Sequence, residues 1–318
     1  MSRMSTHLAR HLFSEALSEV GKLGCESTMI GGAHVLDAGV HCRGSLGAGR
    51  LLARLCLGDR AEVSLGPADA TQLCSHQGVF VCTDDPLVAC LGCQYAGWPV
   101  QSDDFFAMGS GPMRMVRGRE PVLEDLGLHE PAREITGVLE ADKLPTESSI
   151  SLIASECGVS APDLHLAIAP STSLAGSLQV VARSVETAMH KLHELHFDVR
   201  KIVSATGHAP LPPPAKPGDT VQGIGRTNDA MLYGATVALW ADDEDDRVAS
   251  VIEQVPSSSS GDHGQPFARV FKQYNYDFYQ VDPLLFSPAV VTIHNLRSGR
   301  TWTAGRIETE ILRQSFLS

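Results

Sequence analysis

Aromatic residues make up only 6% of the 318 residues and charged residues 19%. No apolar run approaches the roughly 18 residues needed to span a bilayer. The best stretch, Ala230 to Ala241, is bracketed by Asp229 and Asp242, so no membrane association is expected. Basic charge is scarce: 25 Lys and Arg against 37 Asp and Glu leave a net charge of -12, without a basic stripe. That excludes a nucleic-acid backbone binder and suits a neutral or cationic ligand. Eight cysteines are too sparse for a disulfide framework. The apolar settings of Cys56, Cys82 and Cys90 read as buried free thiols of a reducing compartment. Leu8, Leu12, Phe13, Ala16, Leu17 and Val20 recur at helical spacing, but Arg10, Glu15 and Glu19 interrupt what would be a signal-peptide core. A cytoplasmic protein is expected. With 43% hydrophobic residues and a mean hydropathy of -0.01, the chain has ample material for a globular core.

Several chemical signatures are also missing. There is no G-x-x-x-x-G-K-[ST] loop, no G-x-G-x-x-G and no G-x-S-x-G elbow, so nucleotide cradles and the hydrolase serine are unsupported. Cys90-Leu91-Gly92-Cys93 has redox-pair spacing but no second CxxC, and reads as a buried structural pair. The zinc-deaminase pattern fails because Ala89 precedes Cys90 and no histidine is followed two places later by Glu.

What is present alternates helix-like and strand-like runs, which argues a mixed α/β fold. A helix is expected to about Lys22, alternation over Thr28 to Val40, a helix over Leu46 to Leu57, and strands over Glu62 to Leu65 and Val79 to Cys82. A strand-like run within Arg133 to Lys143 ends at Leu144-Pro145, and Thr146 with Ser148 and Ser149 opens a new helix. That places a boundary between residues 1–145 and 146–318, with the chain free to cross back. In the second half, Leu164 to Ala169 reads as a buried strand and Ser177 to Leu195 as one long helix with a clean apolar stripe. Lys201 to Ser204 reads as a strand, Asp242 to Asp246 and Ser257 to Ser260 as solvated loops, and Phe267 to Tyr279 as an aromatic-rich helix. A hairpin around Ser298-Gly299 and a terminal helix after Ile307 complete the pattern.

His190, His193 and His196 sit three apart on the long helix, but Phe197 occupies the second-ligand position of a zincin motif. They read as solvated or interface histidines. Arg183 and Glu186, three apart on the same helix and off its apolar stripe, read by spacing alone as an ordinary surface ion pair.

Three longer segments change this picture. They are Leu91-Gly-Cys-Gln-Tyr-Ala-Gly-Trp98 with Phe105-Phe-Ala-Met-Gly-Ser-Gly-Pro112, then Gly225-Arg-Thr-Asn-Asp-Ala-Met-Leu-Tyr-Gly234, then Phe278-Tyr-Gln-Val-Asp-Pro-Leu-Leu-Phe-Ser-Pro-Ala289. Together, and in this order, they resemble the methenyltetrahydromethanopterin cyclohydrolase family. The resemblance runs from the first helix to the last. It implies two α/β domains with a deep pocket between them, a homotrimer, and a cytoplasmic enzyme of one-carbon metabolism. The implied reaction is the reversible hydrolysis of the cyclic methenyl bridge of a reduced pterin carrier to the 5-formyl form, with no metal or cofactor. On this resemblance Glu186 is the general base on water and Arg183 tunes it. The substrate-binding residues it implies are Gln94, Tyr95, Ser110 and Gly111, then Arg226, Asn228 and Asp229, then Asp282, Phe286 and Ser287. Cys93 departs from the serine associated with that position of the glutamine-tyrosine block. The glycines around Gly109-Ser110-Gly111 suit close approach to a flat ring, or equally a tight turn with no ligand. A non-catalytic pterin-binding relative and a Cys90/Cys93 redox protein stand as alternatives.

Overall fold

The fold was analysed in a computed structural model that describes residues 4–102 and 105–317. Along the first part of the chain run β1 (Glu26–Ile30), β2 (Ala33–Asp37), β3 (Glu62–Pro67), β4 (Gln77–Thr83), β5 (Trp98–Ser102) and β6 (Phe105–Ser110). They are followed by β7 (Ile135–Glu140), β8 (Leu164–Ala169), β9 (Ile202–Pro210), β10 (Thr236–Ala241), β11 (Val290–Asn295) and β12 (Thr301–Gly305). Helices separate most of them, as the mixed α/β reading requires. The chain divides into two compact units: residues up to Ala61 with Val88–Gln179, and Glu62–Leu87 with Val180 onward. Residues 146–179, on the C-terminal side of the division drawn from sequence, belong to the first unit, and the chain passes from one unit to the other three times.

The first unit holds a six-stranded sheet in the order β1-β2-β8-β7-β6-β5. β2, β8 and β7 run parallel, and the two edges are antiparallel hairpins. The alternating run from Thr28 is one of these hairpins. Gly31 and Gly32 turn it with φ of 54° and 88°, left-handed values that a side chain disfavours. Leu12 and Phe13 of the helix Ser5–Leu17 and Leu52 and Leu55 of the helix Leu46–Cys56 cluster with Leu36, Val138 and Ala167 of the sheet. Ile150 and Ile153 of the helix Glu147–Cys157 cluster with Val35, Leu166 and Ile168. With core on both faces, β8 is buried along its whole length, which is why it reads as an apolar run interrupted only by the buried His165.

The second unit holds a sheet in the order β12-β11-β10-β9-β4-β3, parallel only between β10 and β11. Val63, Val81, Ala205, Leu239 and Ile293 point inward and are buried. Phe80, Thr206, His208, Ala238 and Thr292 lie on the half-buried outward side and help line a groove of about 480 Å³. Cys82 lies on this outward side and is exposed, contrary to its apolar neighbourhood in sequence. Alternation along β4 turns it away from the core.

Three other expectations need correction. The long helix is two helices, Leu174–Val181 and Ser184–Glu194, broken at Arg183, whose φ of -90° and ψ of 6° leave the helical range. The acidic and serine segments are not merely solvated loops. Asp243 is buried, Asp245 opens the helix Asp245–Val251, and Ser257 is buried with its hydroxyl donating to the Leu232 carbonyl. The aromatic helix ends at Gln273, and a 3-10 turn at Phe278–Gln280 follows.

Candidate active site

The break between the two helices carries a buried ion pair, Arg183 with Glu186. Arg183 occupies the N-cap position of the helix Ser184–Glu194, and Glu186 lies in its first turn, at the positive end of the helix dipole. Arg183 donates from Nε and Nη2 to the same oxygen, Glu186 Oε2, at 3.0 and 2.8 Å. The residues are 9% and 3% exposed. The surface-pair reading is therefore overturned. A carboxylate here has lost most of its hydration and has a guanidinium in its place, an arrangement that costs more to build than a solvated pair and stiffens both side chains.

Of the three histidines expected on one helix, His190 and His193 lie on the helix Ser184–Glu194 and His196 lies beyond its end. The His190 side chain is 13% exposed and His193 21%, while His196 is exposed with a φ of 60°. The solvated reading fits His196 and fails for His190. Among the described residues no group of three or more His, Cys, Asp or Glu is placed to hold a metal ion.

In the first unit the glutamine-tyrosine block ends an eight-residue π-helix, Leu87–Gln94. Such wide turns are rare and mark functional sites. The Tyr95 amide donates to the Cys90 carbonyl at 2.8 Å, the five-residue reach that defines the wide turn. Gln94 is fully buried, and its carbonyl accepts from Ser110 Oγ at 3.0 Å. The Gly111 amide donates to the Cys93 carbonyl at 2.8 Å, with the Gly111 backbone at a φ of 96°. The structure thus joins Gln94, Tyr95, Ser110 and Gly111 into one hydrogen-bonded corner. Cys90 and Cys93 are buried, and burial pushes the Cys93 thiol up to about 12. A thiol held protonated is a poor nucleophile, which disfavours the redox alternative.

Sequence reasoning missed what holds this corner. Arg114 is fully buried, donates from Nε to both Glu120 oxygens at 2.9 and 3.1 Å, and from Nη1 to the Leu91 and Gly92 carbonyls at 3.0 and 3.2 Å. Its guanidinium carbon lies 5.1 Å from the Tyr95 ring centre. Glycine at 97 is required because a Cβ there would lie 2.1 Å from Glu120 Oε2. The only sequence signal for the pair was a charged residue within the apolar run Met113 to Val116.

The other resemblance-derived residues lie in the second unit. Arg226 donates to the Ser315 carbonyl at 3.1 Å and the Pro214 carbonyl at 2.9 Å, and Asn228 donates to the Ile224 carbonyl at 2.9 Å. Asp229 is fully buried and accepts from the Phe267 amide at 2.7 Å; burial raises it to about 7. Asp282 accepts from the Leu284 amide at 3.0 Å and from the Ser260 hydroxyl. Ser287 is buried and donates to the Val255 carbonyl, and Phe286 packs its ring 5.6 Å from Phe267. Lys191, also missed, is 1% exposed and donates to Ser259 Oγ at 2.9 Å and to the Leu284 carbonyl. Burial holds it at about 8, with Asp282 pulling it upward.

The chain is thus a mixed α/β protein with a buried guanidinium-carboxylate pair at a helix head, and comparison with known proteins gives its class as an enzyme, a cyclohydrolase. The family described as Cyclohydrolase (MCH) matches residues 6–316. The chain is 62% identical to a methenyltetrahydromethanopterin cyclohydrolase of Rhodopirellula baltica over 301 residues, covering 93% of this chain and 90% of that protein. It is 40% identical to the enzyme of that name from Methylobacillus flagellatus over 99% of this chain and 95% of the relative. It is 41% identical to the one from Methanothermobacter thermautotrophicus over 90% of each. The chain belongs to the MCH cyclohydrolase family.

Proposed function

We propose that this enzyme reversibly hydrolyses 5,10-methenyltetrahydromethanopterin to the 5-formyl form, with Glu186 as general base and Arg183 fixing and tuning its carboxylate. The observation that carries this reading is the buried Arg183–Glu186 pair, which has the residue types and spacing that the family resemblance implies. A methenyl bridge between two nitrogens is an amidinium-like cation whose central carbon is already electrophilic. Water therefore needs a positioned base more than a Lewis acid, and no metal or cofactor is required. Glu186 holds the attacking water and takes its proton as the new C–O bond forms, giving a carbinolamine. The C–N bond to the aryl nitrogen at position ten then breaks, a proton goes to that nitrogen, and the hydroxyl proton is lost as the formyl carbonyl forms. Substrate cation plus water gives a neutral formyl product, so one proton leaves per turnover.

The flat pterin is read by Gln94, Tyr95, Ser110 and Gly111, where buried polar groups and a half-exposed ring are already fixed by the π-helix corner. Arg226, Asn228, Asp229, Asp282 and Ser287 use polar atoms on neighbouring backbone or hydroxyl groups. They serve the substrate by holding the segments that carry them, while Phe286 supplies an apolar ring. The enzyme is further proposed to be a cytoplasmic homotrimer, with a solution mass three times 34.0 kDa. The outward side of the second sheet, with half-buried Phe80, Trp240 and Val290, is a surface suited to contact between copies.

The purified protein, supplied with the methenyl substrate, is expected to remove its chromophore, and exhaustive chelation is expected to leave the rate unchanged. No loss of the chromophore would sink the assignment. Loss of activity on chelation, with folding intact, would sink the metal-free mechanism alone.

A further inference from the structure

The proposed reaction releases one proton per turnover, and Glu186, 3% exposed, has little direct contact with bulk water. Glu186, His190 and Glu194 succeed one another at four-residue steps along the helix Ser184–Glu194, so they share one face, with about 5–6 Å between successive Cβ atoms. Exposure rises steadily along this row: the side chains of Glu186, His190 and Glu194 are 4%, 13% and 40% exposed. His190 Nε2 lies 3.5 Å from Glu194 Oε1.

We infer that His190 is a proton relay, which accepts the proton of the attacking water from Glu186 and passes it through Glu194 to solvent. The inference rests on the reading of Glu186 as the base. The imidazole suits the role because it binds a proton at one ring nitrogen while releasing one from the other, so the proton moves on without diffusion of the side chain. The charged and titratable groups acting on it are Glu186, Glu194, His193 and Arg183. Burial lowers His190 below the usual histidine range, while the two carboxylates pull it upward. Burial thus favours the neutral imidazole, the form that a proton acceptor needs. In the reverse direction the same row delivers the proton needed to expel water from the carbinolamine. No bond other than O–H and N–H changes along the row, so the balance is that of the hydrolysis itself.

The test is chemical rescue. His190→Gln keeps a polar side chain but ends the relay, and its turnover in dilute buffer should fall by about ten-fold or more, as for a lost proton-transfer group. Added imidazole should restore it in a saturating manner, whereas wild-type turnover should not depend on imidazole. Unchanged turnover in His190→Gln, or a deficit that imidazole leaves untouched while thermal melts show a folded protein, would overturn the relay. Should His190→Gln fail to fold, Glu194→Gln at the helix surface carries the same test. A buffer-dependent deficit there supports the relay, and wild-type turnover without buffer dependence contradicts it. Loss of the base reading is recognised separately: Glu186→Gln would then be active, whatever imidazole does to the His190 variant.

Discussion

Ser184 Oγ lies 2.3 Å from the point that a Cβ on Gly207 would occupy, and Val185 Cγ2 lies 2.8 Å from it. The first turn of the Glu186 helix is therefore seated directly on the backbone of β9, and only glycine allows that approach. Gly207→Ala should lift the helix head by a few tenths of an ångström or more. Misplacement of a reacting group by about 1 Å can cost as much as 10²-fold. We expect the catalytic constant to fall about ten-fold or more, with overpacking costing about 1–3 kcal/mol of stability. Near-normal turnover in a folded Gly207→Ala protein would show that the seat does not position Glu186.

The π-helix corner makes a separate prediction. Arg114→Met leaves Glu120 buried without its guanidinium and removes the donors to the Leu91 and Gly92 carbonyls. Breaking a buried pair by removing one partner costs about 3–5 kcal/mol. Denaturant melts should show a loss of that order, and Arg114→Met with Glu120→Gln together should lose less than the single variant. A loss below about 1 kcal/mol, typical of an exposed pair, would contradict the clamp.

Asp229 gives a pH signature. Its folded-state carboxyl, at about 7, lies above the ordinary 3.8 because burial disfavours the charge. The folded protein therefore binds more protons at this site than the unfolded chain between these values. The contribution to stability is fully present below about 3.8 and is lost as pH rises through about 7. Asp229→Asn keeps an oxygen for the Phe267 amide and removes the titration. The stability of the variant relative to wild type should improve steadily from pH 4 to 7 and level off above. A difference independent of pH across that window would show that Asp229 is ionised throughout.

Several elements were legible in sequence because burial or turn chemistry writes them plainly. β8 is buried on both faces and apolar but for His165, the helix Glu147–Cys157 begins with a Thr146 capping box, and the terminal helix follows a simple amphipathic pattern. The hairpin of β5 and β6 was not read, because Pro99 and Gly109 argue against strands. β5 is an edge strand, and edges tolerate proline. The break at Arg183 was hidden because Leu178, Val181, Val185 and Ala188 keep one apolar stripe across it. The site showed the same division. The three family segments pointed to Arg183 and Glu186, whereas spacing alone made them a solvated pair. Their burial comes from packing against other elements, which spacing along one helix does not record. Arg114 and Lys191 were missed for a related reason: isolated charges look solvated until the carbonyls that receive them are known.

The most direct test of the account is the turnover of Glu186→Gln measured beside Arg183→Ala and wild type on the methenyl substrate. Glu186→Gln keeps the size and hydrogen-bonding shape of the side chain but cannot take a proton. If Glu186 is the base, its catalytic constant should fall by roughly 10²–10⁴-fold, with substrate affinity changed much less. Arg183→Ala should also lose turnover, because the carboxylate is left buried without its partner. A folded Glu186→Gln protein that keeps more than about a tenth of wild-type turnover retains too much for a lost general base and would contradict the central claim.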